Sequence, residues 1–411
     1  MAATQVRTCC CIVGGGPAGV MAGFLLARAG VRVTVLEKHA DFLRDFRGDT
    51  VHPSTMQVLA DVGLLDEFLK RPHSELSEIS GRIGTRMLKL ADTRHLPTAA
   101  KFVAVMPQWD FLNFLSGAAD RYPAFRLLMS TEAGRLIEEG GRVVGVEAHG
   151  PDGALEIRAD LVLGCDGRTS QVRAEAGLTV RDIGAPIDVL WFRLPRRPDD
   201  AQAALGNIGP GYMLVMIDRN DYYQCGFVIP KGGIEAVKAQ GLAAFKASLA
   251  AIQPMIADRL EGLRSWDDVK LLTVTIDRLE RWWRPGLLCI GDAAHAMSPV
   301  GGVGINLAIQ DAVAAANQLA APLREGRLSD ADLAAIQKRR TLPMRLIQGL
   351  QVAVQERVLA PALKADQPFE PPWPALLLDR VPLLRRIPAR VLGMGFRMER
   401  VKTPEHPGAA A

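Results

Sequence analysis

Between Arg7 and Glu37 the chain reads as an apolar run, a glycine turn, an apolar helix and a β-branched run: CCCIV, GGGPAG, VMAGFLLARAG and VRVTVLE. That order builds a βαβ unit, which commits the chain to parallel strands covered by helices. Gly14, Gly16 and Gly19 fall as GxGxxG between the strand and the helix. Gly14 permits the tight turn, Gly16 lets the backbone approach a pyrophosphate, and Gly19 lets helix and strand pack closely. The helix start at Pro17 and Ala18 attracts phosphate charge. Glu37, followed by Lys38, closes the second strand, where a carboxylate accepts hydrogen bonds from ribose hydroxyls and repels a 2′-phosphate. Gly30 stands where a helix C-terminal glycine belongs, and Val31, Val33 and Val35 alternate after it. FAD and NAD fit this unit equally.

The remaining chain is long enough for a second lobe, with 411 residues and 44.5 kDa. Its 48% hydrophobic and 23% charged residues exclude a disordered or coiled-coil chain. With 49 Lys+Arg against 45 Asp+Glu, the net charge of +4 is too small and dispersed for a nucleic-acid partner. Six cysteines form no disulfide framework; Cys9, Cys10 and Cys11 read as small hydrophobes, and a reducing cytoplasm is the expected compartment. Dispersed histidines and the lack of CxxC leave no metal site, and no GxSxG suggests a serine hydrolase.

The pattern predicts helices over residues 53–69 and 109–119, a β excursion over 80–96, and a hairpin formed by 141–146 and 155–158. A buried strand follows at 159–163. Residues 187–229 read as an antiparallel sheet, 269–276 and 287–290 as further strands. The resulting fold class is α/β, with a Rossmann-like lobe, an inserted antiparallel sheet and a short helical tail. The nucleotide lobe takes residues 1–72, 98–180 and 277–345; the substrate lobe takes 73–97 and 181–276; the tail takes 346–411. Residues 375–396 alternate apolar and basic groups, are too broken to span a bilayer, and read as a helix docked on the domain, with membrane contact peripheral at most. Residues from Thr403 read as disordered.

Two further segments separate the candidate nucleotides. LVLGCDGRTSQVR is a strand ending at Asp166 and Gly167, with Ser170 and Arg173 spaced to start a helix. LLCIGDAAHAMSPVGGVGIN is a strand ending at Gly291 and Asp292, then a glycine-rich turn into a helix. GxGxxG, DG and GD in this order resemble the p-hydroxybenzoate hydroxylase-like, or group A, FAD-dependent aromatic monooxygenases, over about the first 345 residues. The resemblance implies that Asp292 bonds the ribityl chain of FAD and that Asp166 and Gly167 support FAD and nicotinamide binding. It also implies that the turn Pro299, Gly301, Gly302, Val303, Gly304, Ile305 and Asn306 faces the isoalloxazine. Arg47, with Arg44 as a competitor, matches the arginine aimed at the pyrophosphate, and Gln108 the glutamine near the ribityl or phosphate part.

The implied reaction is a hydroxylation: NAD(P)H as co-substrate reduces FAD, O2 forms a C4a-hydroperoxide, and the oxygen passes to an aromatic or related electron-rich small molecule. Backbone N–H groups of residues 304–306 would stabilise the reduced flavin's charge. No side-chain base is required, and His295 reads as structural. Among Trp191, Met213 and Tyr223, offered as substrate contacts, strand alternation allows only one of the sets 222, 224, 226 or 223, 225, 227 to face a cavity. Three alternatives stand: a geranylgeranyl reductase-type enzyme, a flavin-dependent halogenase, and a flavoprotein without turnover. Halogenation is disfavoured because the segment Trp191, Phe192, Arg193, Leu194, Pro195 lacks the second Trp and the Ile of WxWxIP. Val303 stands where many relatives carry glutamine or lysine. Oligomeric state is left open.

Overall fold

The computed structural model describes residues 3–43, 50–200, 206–219 and 221–407. Its first sheet places five strands in parallel, in the order Leu287–Cys289, Gly153–Gly164, Thr4–Val13, Val33–Leu36, Phe125–Leu128. Trp283–Arg284 adds an antiparallel edge. The central strands are buried toward their carboxyl ends, and the ribbon Glu132–Glu139, Arg142–Gly150 extends the same sheet by pairing with Gly153–Gly164. Cys10 and Cys11 lie fully buried in this core, where burial pushes the Cys11 thiol up to about 12 and keeps it a neutral hydrophobe. Pro17–Arg28 packs against Gln108–Ala119 and Gly304–Arg324, so the last helix of the nucleotide lobe returns to the first.

The second sheet runs Lys270–Leu272, Ile187–Pro195, Tyr222–Pro230, Tyr212–Asp218, Gly206–Gly209, Glu78–Ile83, Arg86–Asp92. It is antiparallel except where Gly206–Gly209 meets Glu78–Ile83 in parallel. One face packs on the helix Leu242–Ile252; the other turns toward the nucleotide lobe, where the Arg193 guanidinium lies 5.8 Å from the centre of the Trp109 ring.

The α/β class, the parallel nucleotide sheet, the antiparallel second sheet and the helical C-terminal region all stand as expected. Several local expectations do not. The helix anticipated over 53–69 is two helices, Pro53–Asp61 and Leu65–Leu69, because Gly63 takes a φ of 75° and ends the first. The hairpin arm at 155–158 and the strand at 159–163 are one strand, Gly153–Gly164, which pairs antiparallel with Arg142–Gly150 and parallel with Thr4–Val13. Only Lys270–Leu272 of 269–276 is a strand. The helix Asp330–Val354 runs straight through residue 345, where the sequence places a boundary. Residues Thr403–Pro407 are docked rather than disordered: the Thr403 carbonyl accepts from Arg28 Nη1 at 3.0 Å, Glu405 accepts from Tyr122 Oη at 2.9 Å, and the His406 amide donates to the Arg28 carbonyl.

Candidate active site

The carboxyl ends of parallel strands share one edge of a sheet, and ligands of open α/β folds bind there. Here that edge collects Gly14 and Glu37, Asp166 and Gly167, and Gly291 and Asp292, although they come from four strands distant in sequence. Gly14 has a φ of 105°, and a Cβ on it would stand 2.4 Å from the Cys165 carbonyl oxygen. A Cβ on Gly19 would stand 1.9 Å from the Gly14 carbonyl oxygen, so helix and turn touch backbone to backbone. Gly16, the residue before the helix Pro17–Arg28, has nothing within 4 Å of the Cβ position and leaves room for a ligand. Ala18 closes the other side, 3.2 Å from the Cβ position of Gly291.

The acids differ in what they already hold. Buried Glu37 accepts from the amides of Gly15 at 3.1 Å and His39 at 3.0 Å, tying the glycine turn to the second strand; Lys38 is exposed. Asp166 accepts from the Val172 amide at 3.0 Å through Oδ2, while its buried Oδ1 has no protein donor. Asp292 keeps 36% of its side chain exposed, and its Oδ2 lies 4.0 Å from Arg168 Nη2. A buried acceptor without a donor, an open Gly16 cradle and a helix N-terminus fit a phosphate-linked, hydroxyl-bearing cofactor such as FAD. Gln108 opens the helix Gln108–Ala119 at half-burial. Arg44 and Arg47 lie outside the described residues.

The turn from Pro299 to Val303 precedes the helix Gly304–Arg324, whose first-turn amides point out of its start. Residues that sequence reasoning missed fix this turn. Thr50 Oγ1 donates to the Gly302 carbonyl at 3.0 Å, and His52 Nε2 lies 3.1 Å from the same oxygen. The other ring nitrogen of His52 lies 2.8 Å from the Leu392 carbonyl. Burial lowers the His52 pKa against the opposing pull of those two carbonyls, so the ring is held toward its neutral form. Ser54 and Thr55 hydroxyls both donate to Asn306 Oδ1, at 2.5 and 3.0 Å. The only sequence signal for this group is the polar stretch HPST opening an otherwise apolar helix.

Behind the turn, Asp311 accepts from the Gly291 amide at 3.2 Å, from Arg340 Nε at 2.8 Å, and faces His295 Nε2 at 2.6 Å. Burial alone would raise the Asp311 pKa, but the charges and hydrogen bonds of His295 and Arg340 bring it below the usual carboxylate range. His295 is thus engaged in structure. Three glutamines on one helix face complete the frame. Gln348 Nε2 donates to the Asp277 and Ala296 carbonyls, Gln351 Nε2 to those of Ser298 and Val300, and Gln355 Nε2 to Ser298 Oγ.

The second sheet supplies the opposite wall. Trp191 and Met213 join the apolar cluster that includes Val300 of the turn. Tyr223 is a correction: it is fully buried on the other face, with Phe192, Cys225 and Phe245, because its strand neighbours alternate and the helix Leu242–Ile252 covers that side. The set facing the nucleotide lobe is therefore Tyr222, Gln224 and Gly226. On this face the buried Trp191 Nε1 and Gln224 Nε2 have no protein acceptor.

Residues 7–349 match the FAD binding domain family. The chain belongs to the p-hydroxybenzoate hydroxylase-like FAD monooxygenases. Its 6-methylpretetramide 4-monooxygenase relative from Streptomyces rimosus is 35% identical over 391 residues, covering 95% of this chain and 93% of that one. Among solved structures, p-nitrophenol 4-monooxygenase PnpA from Pseudomonas putida superposes with a TM-score of 0.75 at 21% identity, over 96% of this chain and all of that one. The flavin-dependent halogenase CmlS superposes with a TM-score of 0.74 at 20% identity, over 96% of this chain and 74% of that one. At such identities the fold alone is shared, and it does not separate hydroxylation from halogenation. Family membership and the monooxygenase relative do: the chain is an FAD-dependent, NAD(P)H-using monooxygenase.

Proposed function

We propose that this monooxygenase hydroxylates a multi-ring phenolic compound of the pretetramide kind, held between the second sheet and the turn Pro299–Val303. The observation that carries this reading is the inward face of that sheet, an apolar wall with two buried N–H donors, Trp191 Nε1 and Gln224 Nε2, lacking protein acceptors. A flat ring system covering Trp191 and Met213, with oxygens that accept from both donors, would satisfy this face. The name of the 35% identical relative supports the same class.

When bound, FAD would supply the redox chemistry, with NAD(P)H as its electron source and O2 as the oxygen source. The protein's own contribution is positioning. Gly14, Gly16 and Gly19 admit the pyrophosphate, Asp166 and Asp292 accept from hydroxyls, and the first-turn amides of Gly304, Ile305 and Asn306 stabilise negative charge. The apolar wall excludes water from the reacting edge of the substrate. In this reading residues 1–72, 98–180 and 277 to the end of the helix Asp330–Val354 form the cofactor lobe, and 73–97 and 181–276 the substrate lobe. Cytoplasm, where NAD(P)H is regenerated, is the compartment this reading expects.

With tetracyclic and single-ring phenols offered in parallel under 18O2, the multi-ring product should gain one labelled oxygen per NAD(P)H consumed. Trp191→Phe and Gln224→Leu should each raise KM about tenfold for it. Turnover of single-ring phenols alone would overturn the substrate class. Anaerobic reduction of substrate, with no label incorporated in air, would select the reductase alternative.

A further inference from the structure

The helices Trp373–Arg380 and Arg386–Met394, joined through Pro382–Arg385, form a strap across the domain. One side is docked. Ala375 is buried against Ile83 and Leu88, Ala389 is fully buried, and a Cβ on Gly393 would stand 2.6 Å from Leu96. The other side is bare. Trp373 is 74% exposed and Leu383 and Ile387 are each 62% exposed, so these side chains stand proud of the surface instead of lining a groove. Six of the thirteen exposed large hydrophobic residues among the described residues, Trp373, Leu377, Val381, Leu383, Ile387 and Phe396, lie on the strap or at its end. Helical spacing aligns the bare groups: Trp373, Leu377 and Arg380 on the first helix, Leu383, Ile387 and Arg390 on and before the second.

Charge on the strap is predominantly positive. Residues 371–397 hold five arginines against Asp379, a net +4 that equals the formal net charge of the entire chain. The lone acid is turned inward, where Asp379 Oδ1 accepts from the Lys89 amide at 2.9 Å. Arg385 is turned inward too, donating to the Leu378 and Asp379 carbonyls, while Arg380, Arg386, Arg390 and Arg397 stay exposed.

We propose that the outward face of this strap is a membrane-contact surface whose occupant is an anionic phospholipid bilayer. Projecting aliphatic groups and a tryptophan enter the acyl–headgroup boundary, and the exposed arginines of the two helices, Arg380, Arg386 and Arg390, meet lipid phosphates. Since no described helix is long and apolar enough to cross a membrane, the strap lies in the plane of the surface. A second copy fits this face poorly, because two-fold pairing would set its arginines against each other. The strap also reaches the active site, since the Leu392 carbonyl meets His52 and a Cβ on Gly301 would stand 2.9 Å from Leu392 Cδ2. One helix therefore separates the lipid from the turn Pro299–Val303.

The test is flotation of full-length, FAD-loaded enzyme with unilamellar vesicles of phosphatidylcholine, with or without phosphatidylglycerol. The enzyme should float with the anionic vesicles, be released by high salt, and leave neutral vesicles largely unbound. Its tryptophan emission should shift to the blue on binding, and Trp373→Phe should abolish that shift. The double variants L383S/I387S and R386E/R390E should each lower partitioning about tenfold or more, while NAD(P)H oxidation in solution and the melting temperature stay unchanged. Failure of the wild type to float with anionic vesicles overturns the proposal. So does partitioning that both double variants leave intact, or a patch that proves to hold two copies together, with L383S/I387S turning a dimer into monomer and no vesicle binding in either form.

Discussion

At Gly19 the absence of a side chain is a requirement of contact, since the nearest atom to a Cβ there is a backbone oxygen that cannot rotate away. Gly19→Ala should therefore destabilise the fold by about 3 kcal/mol or more, read as a fall in the urea midpoint of the apoenzyme; an unchanged midpoint would mean the helix can shift. Asp292 is a milder case. Its carboxylate is more than a third exposed beside Arg168, so Asp292→Ala should weaken FAD binding by only about 1 kcal/mol, measured by quenching of flavin fluorescence. His52 sets a pH dependence. Its folded pKa lies below 6.5, so above that value neither state takes up a proton, while below it the unfolded chain protonates first and stability falls. His52→Gln should flatten the melting temperature between about pH 7.5 and about pH 5.5; the same slope in both proteins would assign the acid sensitivity elsewhere. The glycines were legible in the sequence because their constraint is local. His52 was not, because its two carbonyl partners lie 250 and 340 residues away in the chain.

Elements were legible where one periodicity ruled them and illegible where an element serves two neighbours. The βαβ unit follows from a pattern contained in some thirty residues. Gly153–Gly164 instead reads as two pieces, since its first half alternates as a hairpin arm and its second half is continuously buried between parallel strands. Helix Asp330–Val354 hides its purpose differently. Its glutamines look like solvent-facing residues in a sequence, yet Gln348 and Gln351 are nearly fully buried and serve the backbone entering the turn Pro299–Val303. Replacing Gln351 with Leu removes one donor pair and strands the Ser298 and Val300 carbonyls. The expected cost is about 2–4 kcal/mol of stability, seen in chemical denaturation. A loss of flavin affinity larger than that of Asp292→Ala should accompany it, because the turn itself loosens. Denaturation and flavin binding that both match the wild type would mean that the turn stands without this helix.

The nucleotide lobe and the C-terminal segment are joined at the scale of the whole molecule by buried charge. Asp311 and Arg340 are fully buried, and Arg340 continues to Glu399, which a second arginine, Arg339, also grips through both oxygens. One chain of ion pairs thus runs from the Gly291 turn through two helices into the C-terminal segment. None of this is visible in the sequence, where Glu399 sits in a short polar tail next to residues that look disordered. Its energetics separate two truncations. Ending the chain after Lys402 keeps Glu399 and, among the described residues, removes the contacts of Thr403, Glu405 and His406 with Arg28, Gly30 and Tyr122, so the protein should stay folded and lose about 1–3 kcal/mol. Ending it after Met398 leaves the guanidinium of Arg340 buried without Glu399 and also breaks the Arg400–Asp61 pair. Removing one partner of a buried pair costs about 3–5 kcal/mol, so this second truncation should accumulate as insoluble protein or melt well below the first. Similar melting temperatures for the two would mean that Arg340 is sufficiently served by Asp311 alone, and that the tail contributes by packing rather than by charge.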